Sequence, residues 1–230
     1  MSRLQSSFGY VFDHATPIGQ IVVASPTHYR IVADLHGRAA HAGVRPEDGR
    51  SAIVAAARAI AQMTLGRVDE RTTANVGTIA GGSAINVIPE RCRLVGEVRS
   101  LDSERASTVT TEIVDHLQDA ADANECDLDV TVERMFRGYQ VKPSAVPLAV
   151  ARRALTACGY EPTDIVSGGA SDVNSLQAAV FESICLADGV QRNHEPTERI
   201  SLDALHGMFD VTLTLVEEAA TAAAAAEVSG

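Results

Sequence analysis

Apolar and polar positions change rhythm several times along the chain, and each change predicts an element. Phe8 to Phe12 and Gln20 to Ala24 read as short extended segments. The turn-rich Asp13-His14-Ala15-Thr16-Pro17-Ile18-Gly19 separates them. Ser25-Pro26 marks a boundary, because a residue before proline is pushed towards extended geometry. From Thr27, Tyr29, Ile31, Ala33 and Leu35 alternate with Arg30, Val32, Asp34 and His36, a strand with one dominant apolar face. Arg50 to Leu65 is helical, with Ile53, Ala56, Ala57, Ile60 and Met63 at helical spacing. Thr72 to Ile79 and Arg91 to Leu101 return to strand. Asp102 or Ser103 caps a long helix reaching Asn124, striped by Val109, Ile113, Leu117 and Ala120. Leu128 to Phe136 is a last strand. The order strand–helix–strand–strand–helix–strand suits a ferredoxin-like sandwich, an antiparallel sheet with two helices on one face.

After Gly138 the pattern differs. Pro147 to Ala157, Asp172 to Ala179 and Leu202 to about Ala219 read as helices, with short strands at Asp164 to Ser167 and Ser183 to Leu186. Leu205, Met208, Phe209, Leu213 and Val216 form the expected buried stripe of the last helix. Alternating helices and short strands are α/β organisation. The expected layout is therefore residues 1–26 as one piece of an α/β domain, 27–138 as an inserted ferredoxin-like domain, and 139–218 as the rest of the α/β domain. Residues 219–230 read as an alanine-rich tail, a fraying helix at most.

Composition narrows the classes. The chain has 230 residues, 46% hydrophobic and 21% charged, which is globular rather than disordered. Nineteen Lys and Arg against 30 Asp and Glu leave a net charge of −11, which argues against a nucleic-acid partner. No apolar run reaches the roughly 18 residues of a membrane span. Cys92, Cys126, Cys158 and Cys185 are widely spaced, neither a zinc ribbon nor a disulfide framework, so a reduced cytoplasmic setting is expected.

Three clusters carry candidate chemistry. Asp13 ends a strand in Phe12-Asp13-His14. His41, in His41-Ala42-Gly43, Asn86, in Asn86-Val87-Ile88-Pro89, and Arg99 are an imidazole, an amide and a guanidinium, donors that suit a carboxylate. Ser167-Gly168-Gly169-Ala170-Ser171-Asp172-Val173-Asn174 allows a tight strand-to-helix turn with exposed backbone N–H groups. It is followed by His194 with Glu198. Pro196 between those two excludes the helical H-E-x-x-H arrangement.

Taken in order, these motifs resemble the co-catalytic di-zinc peptidases and aminoacylases. The signs are His41-Ala42-Gly43 with Pro46-Glu47, Gly81-Gly82 through Pro89, Arg99-Ser100, Gly169 to Asn174, and His194 with Glu198 and Ile200. The last two look most like the peptidase T-like branch. The resemblance implies a ferredoxin-like dimerisation domain inserted in an α/β zinc-peptidase domain, with homodimerisation through residues 27–138. It implies Asp13 as a carboxylate ligand of one zinc and His194 as the imidazole ligand of the other. It implies that His41 reaches the partner subunit's active site and donates to the oxyanion. Asn86 and Arg99 would hold the substrate carboxylate, with Gly168 and Gly169 lining the pocket. Implied substrates are small peptides or N-acyl amino acids.

In that family the other zinc ligands and the general base precede the segment matching Asp13. Here Met1 to Phe12 contain no Asp, Glu or His. The expectation is a chain matching the family from the middle of its catalytic domain onward. It would bind no di-zinc centre by itself and be inactive in isolation, since a zinc site wants at least three protein ligands. The alternative is a non-catalytic dimerisation or carboxylate-binding module.

Overall fold

The computed structural model describes residues 6–228. Residues 1–5 of the leading piece and 229–230 of the tail lie outside the described residues. Ten strands and five helices are named in chain order: β1 (Phe8–His14), β2 (Gln20–Ser25), β3 (Thr27–His36), α1 (Ala52–Gln62), β4 (Gly66–Asp69), β5 (Thr72–Gly81), β6 (Arg91–Ser100), α2 (Ser103–Ala123), β7 (Asp127–Phe136), β8 (Tyr139–Gln140), α3 (Val146–Ala157), β9 (Thr163–Val166), α4 (Asp172–Ala178), β10 (Glu182–Ala187) and α5 (Leu202–Val228). The chain divides into two compact units, Thr27–Arg137 and Met1–Pro26 with Gly138–Gly230.

The 27–137 unit is an antiparallel sheet in the order β4-β5-β6-β3-β7. With the short β4 set aside, that is the ferredoxin-like order. Period-2 alternation places Ile31, Ala33 and Leu35 of β3 beside Cys92, Leu94 and Val98 of β6, all buried. Val109, Ile113, Leu117 and Ala120 of α2 cover Ile31, Ala33, Leu94 and Val98 as the stripe foretells. In α1 the buried face is Ala52, Ala55, Ala56 and Ala59, while Ala57 is exposed. Small side chains there let the helix lie close to the sheet. Asp102 caps α2, its Oδ1 accepting from the Glu104 and Arg105 amides at 2.9 and 3.2 Å. Ser51 caps α1 through the Val54 amide. The hairpin strand β4 was not legible in Gly66-Arg67-Val68-Asp69, where one valine gives no alternation.

The other unit holds a mixed five-stranded sheet, β1-β10-β2-β8, with β9 also pairing β2. β1 runs parallel to β10, and β10 antiparallel to β2. The core joins Ile21, Ile184 and Leu186 of the sheet to Leu148, Val150 and Leu155 of α3 and to Met208, Val211 and Leu215 of α5.

Two expectations about α5 need correction. Its buried face is Met208–Val211–Leu215, continued by the partly buried Ala219 and Ala222. Leu205, Phe209, Leu213 and Val216 are instead exposed, at 51–65%. The helix is apolar on two sides, and spacing alone cannot say which side meets the core. The alanine segment also continues the helix to Val228, because alanine has the highest helix propensity and the first alanines pack on the core.

Candidate functional site

In the unit formed by the two ends of the chain, Asp13 occupies the penultimate position of β1, whose partner β10 leads into the loop bearing His194. Parallel pairing brings the two strand ends together, so residues 181 positions apart interact. Asp13 shares a narrow recess with His14, Ser25, Tyr139, Ser167, Gly169, Ser171, Asn174 and Cys185, among others. Partial burial pushes the Asp13 carboxyl above the usual range. The nearby charges of Asp172 and Asp188 push the same way, and His194 and His14 partly offset them. Burial raises the Cys185 thiol and the Tyr139 hydroxyl as well. The Tyr139 hydroxyl is buried without a hydrogen-bond partner.

The glycine loop is held by residues of its own motif together with Ser25, which motif reading passed over. Ser25, at the end of β2, donates to the Gly169 carbonyl at 2.8 Å and accepts from Asn174 Nδ2 at 3.0 Å. Asn174 Oδ1 in turn accepts from the Ser171 amide at 3.1 Å, completing a capping box on α4. Ser171-x-x-Asn174 was the available signal. The Gly169 amide is not bare: it donates to Ser167 Oγ at 3.0 Å. His194 has a left-handed backbone, φ 65°, with its amide on Glu198 Oε2 at 3.0 Å. Such backbone in a non-glycine residue is costly and concentrates at functional sites.

In the 27–137 unit, His41 and Asn86 lie together. The Ala42 amide donates to the Asn86 carbonyl and the Ile88 amide to the Ala40 carbonyl, both at 2.9 Å. A side chain at Gly49 would strike Ile88, so only glycine lets these loops close. His41 Nδ1 accepts from the Gly43 amide at 3.2 Å. In the neutral ring the proton is then on Nε2, a donor on an exposed side chain. Arg99 lies elsewhere. Asn86 precedes the start of β6 and Arg99 is near its end, and Arg91 to Arg99 alone spans about 27 Å at roughly 3.4 Å per residue. One protomer therefore pairs His41 with Asn86 but brings neither to Arg99. Arg99 is half-buried and forks onto Glu97, Nε to Oε1 and Nη2 to Oε2, both at 3.0 Å.

A profile of the peptidase dimerisation domain matches residues 28–125. Residues 28–125 are a peptidase dimerisation domain, and the chain has homologues in the metal-dependent peptidase and aminoacylase superfamily that carries it. It is 33% identical to the YqjE protein of Bacillus subtilis over 219 residues, 95% of this chain and 59% of that protein. It is 34% identical to an N-carbamoyl-L-amino acid amidohydrolase of Geobacillus stearothermophilus over 176 residues, 70% of this chain and 40% of that protein. Among solved structures, aminopeptidase PepT from Bacillus cereus superposes with a TM-score of 0.89 at 34% identity, covering 95% of this chain and 59% of that one. A tripeptidase from Staphylococcus aureus gives 0.91 at 33%, with 95% and 58% covered. The chain thus spans about three-fifths of the length of the Bacillus subtilis relative and of both peptidase structures, and less of the amidohydrolase.

Members of this superfamily are metal-dependent, typically on zinc. The donors here do not make a metal cage: among the described residues, no group of three or more His, Cys, Asp or Glu side chains is placed to hold an ion. Asp13 and His194 are near enough to feel each other, but the pair falls short of the three ligands a zinc site wants. Also among the described residues, no helix is long and apolar enough to cross a membrane.

Proposed function

We propose that this chain is the dimerising and substrate-gripping portion of a metal-dependent peptidase or amidohydrolase acting on small peptides or N-acyl amino acids. The observation that carries the reading is that Asp13 and His194, 181 positions apart in the sequence, come close enough for their charges to interact. A pure dimerisation module has no use for that pair. The domain boundaries of the proposal are 1–26 and 139–218 for the catalytic part and 27–138 for the dimerisation part.

Asp13 and His194 are assigned as one carboxylate and one imidazole ligand of a two-zinc centre. Further donors must complete that centre, so the chain alone is inactive and holds no stable pair of zinc ions. Gly169, which lines the recess, and its neighbour Gly168 are assigned to the substrate pocket. His41, with Nε2–H outward, donates to the oxyanion of the tetrahedral intermediate, where a preorganised donor acts on charge as it develops. Asn86 and Arg99 bind the substrate carboxylate. The length of β6 between Asn86 and Arg99 makes that clamp a shared one, with His41 and Asn86 from one protomer and Arg99 from its partner in a homodimer. The four unpaired cysteines suit a reducing, cytoplasmic setting.

The test has two arms. Metal analysis after dialysis of the chain should find fewer than two zinc ions held; two tightly bound ions per chain overturn the incomplete-centre reading. Fusing the part of the Bacillus subtilis relative outside the match to this chain should create hydrolysis of a tripeptide or an N-acyl amino acid. Asp13→Ala or His194→Ala should then abolish it. A fusion that binds the tripeptide but never cleaves it favours the non-catalytic carboxylate-binding module instead.

A further inference from the structure

Glu97 and Arg99 are two residues apart on β6, so both side chains rise from the sheet face opposite α1 and α2. Their fork uses both carboxylate oxygens and two guanidinium nitrogens at 3.0 Å, the alignment that fixes the guanidinium plane. His28, opposite Arg99 in the β3–β6 register, packs against the carboxylate from the side. Its Nε2 lies 3.1 Å from Glu97 Oε2, with only 12% of the His28 side chain exposed. Neither ring nitrogen has an aligned hydrogen-bond partner. The ring stands edge-on to Phe136 at 5.0 Å, which limits how it can turn. His28 and Glu97 line a cleft of about 220 Å³ together with Val95, Gly96 and Met135, and Arg99 itself is not among the lining residues.

We propose that Glu97, backed by His28, is a positioning residue that presets the guanidinium of Arg99 to grip a substrate carboxylate in one orientation. This rests on the reading of Arg99 as a carboxylate clamp. Charge alone gives Glu97 the wrong sign for the task, since a carboxylate beside Arg99 repels an incoming carboxylate. Orientation gives it a purpose. An arginine side chain is flexible, and holding its plane beforehand removes an ordering cost from binding. A bidentate grip also fails if the plane is turned or moved by about 1 Å.

The two effects separate in Glu97→Asp, which keeps the charge but shortens the arm by one methylene, about 1.5 Å. The probes are trialanine and trialanine amide, titrated into the full chain and followed by NMR. The second readout is the solvent exchange of the Arg99 Nε–H. The unaltered chain should prefer the acid, with a slowly exchanging Nε–H. Glu97→Asp should cut that preference at least fivefold and speed the exchange, with the β-sheet amide spectrum retained. If Glu97→Asp does not fold, Glu97→Gln, which has one oxygen acceptor in place of two, must speed the same exchange. Unchanged exchange and unchanged preference in these variants overturn the positioning role. Arg99→Lys keeps the two failures apart. Preference lost there but kept in Glu97→Asp removes the positioning role and leaves the clamp. Preference kept in Arg99→Lys, or absent from the unaltered chain, removes the clamp reading and this inference with it.

Discussion

The two units use their apolar residues differently. In the 27–137 unit the patterned faces of β3, β6 and α2 are the buried faces, and Ile31, Leu35, Leu94 and Leu117 are at most 1% exposed. In the other unit, α5 has more apolar positions than its core consumes. Met208, Val211 and Leu215 are inside, while Leu202, Leu205, Phe209, Leu213 and Val216 are 51–72% exposed. Next to that unit's core, β1 lies at the edge of its sheet with Phe12 37% exposed. The lesson is that agreement between pattern and burial marks a self-sufficient core. A surplus of apolar positions marks surface that the unit's own residues do not cover.

The sharpest test of self-sufficiency is Leu117→Ala. It should cost the 27–137 unit about 2–5 kcal/mol, from lost burial plus the cavity left behind. A urea titration followed by circular dichroism should move one transition and leave that of the other unit in place. Equal movement of both would dissolve the distinction between the units.

Asp102→Ala removes the side-chain acceptor of two α2 amides and should cost about 1 kcal/mol in the same unit. An unchanged midpoint would mean that water or the chain ends serve those amides equally well.

Acid should weaken the 27–137 unit through Glu97 and His28. The Arg99 fork holds the Glu97 carboxyl below its ordinary range, and burial and then Arg99 hold the His28 imidazole below its own. Both depressed groups bind protons more readily in the unfolded chain. Their contribution is complete above the ordinary values, about 6.5 for histidine and 4.3 for glutamate, and is lost as pH falls below each. Stability measured from pH 8 down to pH 4 should decline, and Glu97→Gln should flatten the lower part of that decline. A stability that rises on acidification would reverse the assignment.

The smallest effect on stability is expected where the second unit differs most. Phe209→Ser with Leu213→Ser changes exposed residues and should shift the midpoint by no more than about 0.5 kcal/mol. It should also reduce light scattering on concentration, because the surplus apolar stripe is interrupted. A large loss of stability would show that these side chains are buried after all.

The ferredoxin-like order was legible because long strands and an amphipathic helix carry strong periodicity. The two-residue β8 and the four-residue β4 were not, since such lengths hold no period. Among site residues, motif order picked out Asp13, His41, Asn86, Arg99 and His194 by chemical type. It passed over Ser25 and Glu97, whose importance lies in contacts with Gly169 and Arg99 rather than in any motif.

The amino-acid order by itself determined the alternation of elements, the acidic charge and the set of side chains able to do chemistry, because these follow from local periodicity and composition. Tertiary structure alone decided which face of α5 is buried and that Asp13 comes within electrostatic reach of His194. Both depend on contacts between residues far apart along the chain, packing of α5 on the core in the first case and the parallel pairing of β1 with β10 in the second, rather than on any local segment.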